Sequence, residues 1–282
     1  MSDISIFGSL QSGRPFIKMH GLLNHFVVVD AREAPYTPAT GEIVRICDVR
    51  TGIGGDQLVV IEPPRAEGSS AFMRILNVDG REVEACGNAT RCVAWLLLEE
   101  AGTDSVTIDT LAGLIDCHRI GPQEVACTMG RLTMDWAAIP LSREVDTCHV
   151  GIEAGPLSDG VAVAIGNPHI VFFVDDLDEI DIELVAPAIQ TDALFPNQVN
   201  VGVAQVTGKA ELRSIVYERG AGLTTACGSG ACAAYFAALA RGLIDRNEIT
   251  VRMPAGDVRI AISDDDVATM TGPVSYCFAG IL

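Results

Sequence analysis

Short apolar runs bounded by Asp, Gly or Asn recur along the chain, and they set its strands. Phe26–Val29 reads as a buried strand ending at Asp30. Gln57–Glu62, Phe72–Leu76, Ser105–Asp109, Leu114–His118 and Glu124–Met129 read the same way. Between them the spacing lengthens to a helical period twice. Thr40–Cys47 is predicted to be a short helix, and Ala89–Ala101 a longer apolar one that Gly102 stops. Met1–Arg14 is polar and contains Ser and Gly, so order is expected to begin near Phe16.

The second half of the pattern repeats the first. Cys86 and Cys227 lie 141 residues apart in a chain of 282, and Asn77 and Glu218 each precede their cysteine by nine residues. Each cysteine is followed by glycine, a helix of small residues and a stopping glycine, Gly102 or Gly242. A strand and an Ala-Gly turn come next, ending at Gly113 in one half and Gly256 in the other. Near the start of each half an Asn (Asn24, Asn167) precedes an apolar strand closing on Asp30 or Asp175. A period this long is a duplicated domain and not a solenoid. The expected fold is α+β, with two pseudo-symmetric domains, each a mostly antiparallel sheet or barrel wrapped around a central helix. The expected boundaries are a disordered tail at 1–14, a first domain at 15–131 and a second at 132–274, with 275–282 a candidate to return to the first.

Charge narrows the partners. The net charge of −18 argues against nucleic acid and anionic membranes, because neutralising phosphates requires clustered Lys and Arg. No signal-peptide pattern opens the sequence, and no apolar run approaches the roughly 20 residues that span a bilayer. Nine cysteines without the dense spacing of a secreted scaffold point to a reduced, cytoplasmic setting. Cys47, Cys92, Cys117, Cys127, Cys148, Cys232 and Cys277 read as core filler or inert thiols, and Cys92 and Cys232 fall inside the central helices.

Cys86 and Cys227 differ from the others by position. A thiol at a helix start faces backbone N–H groups and the positive end of the macrodipole, both of which favour thiolate. The backbone N–H groups of Gly228, Ser229 and Gly230 can hold a carboxylate or phosphate. Two such thiols brought together by the duplicated halves could remove a proton from a carbon and return one from the opposite side, inverting a stereocentre. A zinc site fails on spacing, since no CxxC or HxxxH occurs and the histidines are scattered. A dinucleotide reading of CGSGACA fails because a threonine-containing loop precedes it where a strand is needed. His20 and His25 read as structural, and Asp264-Asp265-Asp266 as a solvated turn.

The segments KMHGLLNHFVVVD, TGIGGDQLVV, NVDGREVEACGNATRC, GNPH, FPNQVNV and YERGAGLTTACGSGACAA, in this order, resemble the diaminopimelate epimerase family. The resemblance implies a cofactor-free, metal-free (PLP-independent) racemase. It would interconvert LL- and meso-diaminopimelate for lysine and peptidoglycan precursors, commonly as a homodimer. Carried over by motif, Cys86 and Cys227 are the acid/base pair, and Gly87, Asn88, Gly228 and Ser229 hold the reacting carboxylate. Asn24, Gln57, Asn77, Asn167, Asn200, Glu218 and Arg219 contact the substrate, while His169 and Glu218 tune the thiols. A guanidinium for a distal carboxylate and amides for an ammonium suit a buried zwitterion.

The chain departs from the family in two places. Leu22-Leu23-Asn24-His25 stands where the family reads LGND, and Ala89 stands where CGNG is usual. Two other readings remain open at this stage. One is a proline- or hydroxyproline-type epimerase of the same fold, against which the Asn-rich distal site argues. The other is a non-catalytic, redox-regulated thiol protein.

Overall fold

The computed structural model describes residues 13–282. Met1–Ser12, most of the expected tail, lie outside the described residues. In chain order the elements are β1 (Pro15–Gly21), β2 (Asn24–Asp30), α1 (Thr40–Cys47), β3 (Gln57–Glu62), β4 (Ala71–Asn77), β5 (Glu82–Val83), α2 (Gly87–Ala101), β6 (Ser105–Thr110), β7 (Gly113–Gly121) and β8 (Glu124–Arg131). There follow β9 (Val161–Ala164), β10 (Pro168–Phe173), α3 (Ile182–Gln190), β11 (Asn200–Gly208), β12 (Glu211–Glu218), β13 (Gly222–Thr224), α4 (Gly228–Ala240), β14 (Glu248–Met253), β15 (Gly256–Ile262), β16 (Val267–Pro273) and β17 (Ser275–Ile281). No helix among the described residues is long and apolar enough to cross a membrane.

The chain divides into two compact units. One holds the described residues up to Val125 together with Pro273–Leu282; the other is Ala126–Gly272. The cut falls inside β8, which pairs with β16. In the first unit β17 pairs antiparallel with β1, and the Leu282 N–H donates to the Arg14 carbonyl at 2.8 Å. Arg14 is itself anchored, donating to the carbonyls of Ala34 at 2.9 Å and Pro35 at 3.1 Å.

Strand pairing repeats between the units. In the first, β1–β2 is antiparallel, β2–β3 parallel, β3–β4 and β4–β5 antiparallel, β4–β6 parallel and β6–β7 antiparallel. In the second, β9–β10, β10–β11, β11–β12, β12–β13, β12–β14 and β14–β15 follow the same sequence of senses. Each parallel pair needs a crossover, and a helix supplies it every time: α1 and α2 in the first unit, α3 and α4 in the second.

Strands between two helices are buried on both faces and therefore read as unbroken apolar runs. Val27, Val29, Leu58 and Val60 pack with Ile43, Ile46 and Cys47 of α1, while Phe26, Val28 and Val59 are buried on the opposite face. In the second unit Ile170, Phe172, Val201 and Val203 pack with Ile182, Ala186 and Ile189 of α3. His169 and Val171 therefore fall on the other face, where α4 packs against β10 and β11. Fully burying one such aliphatic side chain is worth about 1.5–3 kcal/mol, so these layers hold each unit together. Helix α4 is made of small residues because strands approach it closely: a Cβ on Gly230 would lie 2.6 Å from Val216 Cγ2.

The β1–β2 turn is the strained place. Leu22 and Leu23 both adopt left-handed backbone, φ 53° and 60°, in a two-residue hairpin whose flanking residues Gly21 and Asn24 are paired. A β-branch-free leucine tolerates this at a cost of about 1–2 kcal/mol per residue. The departure from the family pattern at Leu23 thus leaves the turn intact while straining it.

Candidate active site

Each unit carries its candidate cysteine as the residue just before a helix. Cys86 precedes α2 in extended backbone (φ −149°, ψ 110°), and Cys227 precedes α4 in the same way (φ −111°, ψ 106°). Each carbonyl opens its helix, Cys86 O accepting from Thr90 N at 2.8 Å and Cys227 O from Ala231 N at 2.9 Å. The next backbone N–H groups (Gly87 and Asn88, Gly228 and Ser229) belong to the first helical turn, where the helix offers no carbonyl to receive them. Such a terminus is an anion site, suited to a carboxylate.

In the first unit Cys86 is half-buried, and its Sγ donates to Asn24 Oδ1 at 3.6 Å. Asn88 Nδ2 reaches the same oxygen at 3.4 Å. Asp56 accepts from Asn24 Nδ2 at 3.1 Å and from the His25 backbone N–H at 2.7 Å. Gln57 and Asn77 are register partners on β3 and β4, and Gln57 Nε2 donates to Asn77 Oδ1 at 2.9 Å. Gln57 Oε1 is buried without a hydrogen-bond partner. His25 packs edge-on against His20 with ring centroids 5.0 Å apart, and burial pulls both imidazoles below their ordinary range.

In the second unit Cys227 is buried, with Ser229 Oγ at 3.6 Å. Burial pushes its thiol well up, and the Glu218 carboxylate adds to that; the Ser229 hydroxyl and the Gly230 N–H pull the other way. Burial and Glu218 therefore outweigh the lowering expected from the helix start. Glu218 is oriented by Thr224, whose Oγ1 donates to it at 2.6 Å. Asn167 Nδ2 donates to Ser229 Oγ at 3.4 Å, while Asn167 Oδ1 lies 3.1 Å from His169 Nε2. His169 is a register partner of Asn200, whose Nδ2 lies 3.4 Å from the same ring nitrogen. Burial, and Arg219 secondarily, lower the His169 pKa to about 3, so the ring is neutral throughout the physiological range. Asn200 Oδ1 accepts from the Arg219 N–H at 2.8 Å, and the Arg219 guanidinium donates to Asn197 O at 3.0 Å.

The structure thus gathers Asn24, Cys86, Gly87 and Asn88 in one cluster and pairs Gln57 with Asn77 beside it. It gathers Asn167, His169, Asn200, Glu218, Arg219, Cys227, Gly228 and Ser229 in the second unit. His169 reaches Cys227 only through Asn167 and Ser229, whereas Glu218 acts on the thiol directly. Sequence reasoning missed Asp56, Thr224 and the fully buried Arg91. For Arg91 the available signal was a charged residue within a helix otherwise read as apolar. No disulfide forms among the nine cysteines.

Comparison with known proteins shows the family. The model of the family described as Diaminopimelate epimerase matches residues 16–134 and 161–277. A diaminopimelate epimerase from Rhodospirillum centenum is 46% identical over 95% of this chain and 92% of its own length. Among solved structures, the Bacillus anthracis phenazine biosynthesis protein of the PhzF family superposes with a TM-score of 0.67 at 15% identity, over 96% of this chain and 99% of that one. A hydroxyproline epimerase from Agrobacterium vitis gives 0.66 at 16% identity, over 95% and 90%. These two likenesses concern the fold alone. The family match extends through both cysteine-bearing units, and the chain belongs to the diaminopimelate epimerase family.

Proposed function

We propose that this chain epimerises LL-2,6-diaminopimelate to the meso isomer by two-base chemistry with no cofactor, supplying lysine and peptidoglycan precursor synthesis. The observation that carries the reading is the duplicated device itself: a cysteine immediately before a helix in each unit, each among side chains suited to an amino acid. One sulfur, as thiolate, removes the α-proton, and the other, as thiol, delivers a proton to the opposite face. The helix-start N–H groups at Gly87, Asn88, Gly228 and Ser229 hold the reacting carboxylate and stabilise charge as the carbanion forms. Asn24, Gln57, Asn77, Asn167, Asn200, Glu218 and Arg219 bind the rest of the substrate, Arg219 taking the distal carboxylate. Glu218 tunes Cys227, and His169 does so at one remove.

The protein acts in the cytoplasm, a setting supported by nine cysteines without a disulfide. It works as a homodimer, supported by Tyr276 and Phe278, which β17 leaves 46% and 47% exposed. Sedimentation at micromolar concentration tests the dimer; a single monomeric species would refute it. For the activity, purified protein is incubated separately with LL-diaminopimelate, L-proline and trans-4-hydroxy-L-proline, and the isomer ratio is read by chiral chromatography. Conversion of diaminopimelate alone is expected. Conversion of either proline substrate in its place would assign the chain to the alternative epimerase class.

A further inference from the structure

The hydrogen bonds around Cys86 have a polarity that is fixed from both ends. At one end stands Arg91, fully buried in α2. Its guanidinium donates to Asn88 Oδ1 at 2.6 Å and to Gly87 O at 3.3 Å. A guanidinium has no acceptor, so the Asn88 atom facing it is the carbonyl oxygen, and Asn88 Nδ2 is left to point at Asn24. The backbone keeps this contact close: a Cβ on Gly21 would lie 3.2 Å from the Arg91 guanidinium and 3.3 Å from Asn88 Cβ. At the other end stands Asp56, whose carboxylate only accepts, taking Asn24 Nδ2 at 3.1 Å and His25 N at 2.7 Å. Asn24 is thereby oriented too. Its Oδ1 faces Asn88 Nδ2 at 3.4 Å and Cys86 Sγ at 3.6 Å. An amide oxygen offers no proton, so a hydrogen bond between it and sulfur needs the proton that sulfur carries.

We propose that Asp56 and Arg91 are positioning residues that lock the Asn24–Asn88 amide pair so that it presents an oxygen to Cys86, favouring thiol over thiolate. That Cys86 is an acid/base residue rests on the function proposed above; the locked polarity does not. With the acceptor-only end removed, the long 3.4 Å contact from Asn88 Nδ2 is what still restrains the amide, and Asn24 can turn and offer its NH₂ to the sulfur, which favours thiolate. The other charged or titratable groups coupled to Asp56 are Lys18 of β1, His25 of β2 and Cys47 of α1, with His20 of β1 against His25. Removing the Asp56 charge could also act on Cys86 directly through space, and a double-mutant cycle separates the two routes.

The test is the pH dependence of iodoacetamide alkylation of Cys86 in the full chain, read by mass spectrometry of its peptide. Asp56→Asn is expected to lower the midpoint by about one unit, making Cys86 about tenfold more reactive near neutral pH. Asp56→Glu, which keeps an acceptor-only end, should return the wild-type profile. Asn24→Ala should lower the midpoint by itself, and adding Asp56→Asn to it should change nothing further. An unchanged midpoint in Asp56→Asn overturns the proposal, as does an equal shift from that change in the Asn24→Ala background, which would indicate a direct field. If Asp56→Asn does not fold, Asn24→Ala decides alone, and a wild-type midpoint there is contrary. No substrate enters the readout, so this result and the activity on diaminopimelate can fail independently.

Discussion

The cysteine ends of the two units share a backbone plan and differ in what surrounds the sulfur. Cys86 is half-buried among neutral amides whose orientation is set by Asp56 and Arg91. Cys227 is buried beside a carboxylate, Glu218, and a hydroxyl, Ser229. One thiol is governed by which atom of an amide faces it; the other by desolvation and charge. Duplication supplied the same strand pairings and helix start twice, and the polar side chains then diverged. Under the proposed chemistry, two thiols acting on opposite faces of one carbon have no reason to be equivalent, and the surroundings of these two are not.

Removing either sulfur is the harshest way to break the comparison. Cys86→Ala and Cys227→Ala are each expected to lower kcat for diaminopimelate epimerisation by about 10²–10⁴-fold, the usual worth of general acid–base help. A variant retaining wild-type turnover would show that its unit is dispensable.

The difference between the ends is sharpened next by Glu218→Gln. Because Glu218 raises the Cys227 thiol, removing its charge should lower that pKa and speed Cys227 alkylation near pH 8 by about tenfold, leaving the Cys86 profile in place. Equal acceleration at both cysteines would contradict separate control of the two thiols.

His169 gives a smaller, pH-dependent effect. Its folded pKa of about 3 lies below the ordinary 6.5, so below pH 6.5 the unfolded chain binds a proton that the folded one refuses. Its contribution to stability is complete above that value and is lost as pH falls toward 3. Urea unfolding between pH 6 and 4 should show up to about 1.4 kcal/mol per pH unit from this group. His169→Gln should flatten the slope by that amount; an unaltered slope would place a charged imidazole in the core.

Smallest is the hairpin at the first unit's Asn24. Leu23→Gly removes a left-handed leucine and should raise stability by about 1 kcal/mol, a gain reduced by the added freedom of the unfolded chain. A lower thermal midpoint would mean that the exposed Leu23 side chain packs usefully.

The runs FVVV and QLVVIE were legible as strands because a strand covered on both faces writes an unbroken apolar run, and β3 spans the expected Gln57–Glu62. Helix α1 matches Thr40–Cys47 through its amphipathic spacing, and α2 ends at Gly102 in left-handed backbone. Strand β1 was not marked out, because PFIKMHG places Lys18 and His20 among its apolar residues, and Lys18 is buried by donating to the Gly54 carbonyl. Burial also lowers the Lys18 pKa, against the pull of Cys277, Asp56 and Cys47. At the candidate site the cysteines announced themselves by repetition. Asp56 and Arg91 did not, since their effect depends on which atom of a distant asparagine they face, and only folding brings those atoms together.

The two-sulfur mechanism is tested most directly by following isotope from LL-diaminopimelate in deuterated water, stopped at early conversion. With separate sulfurs removing and returning the proton, the meso product should carry deuterium at its inverted carbon while the remaining LL substrate keeps protium. Deuterium appearing equally in recovered substrate and product would mean that a single exchanging base serves both faces, and the division of labour between Cys86 and Cys227 would be wrong.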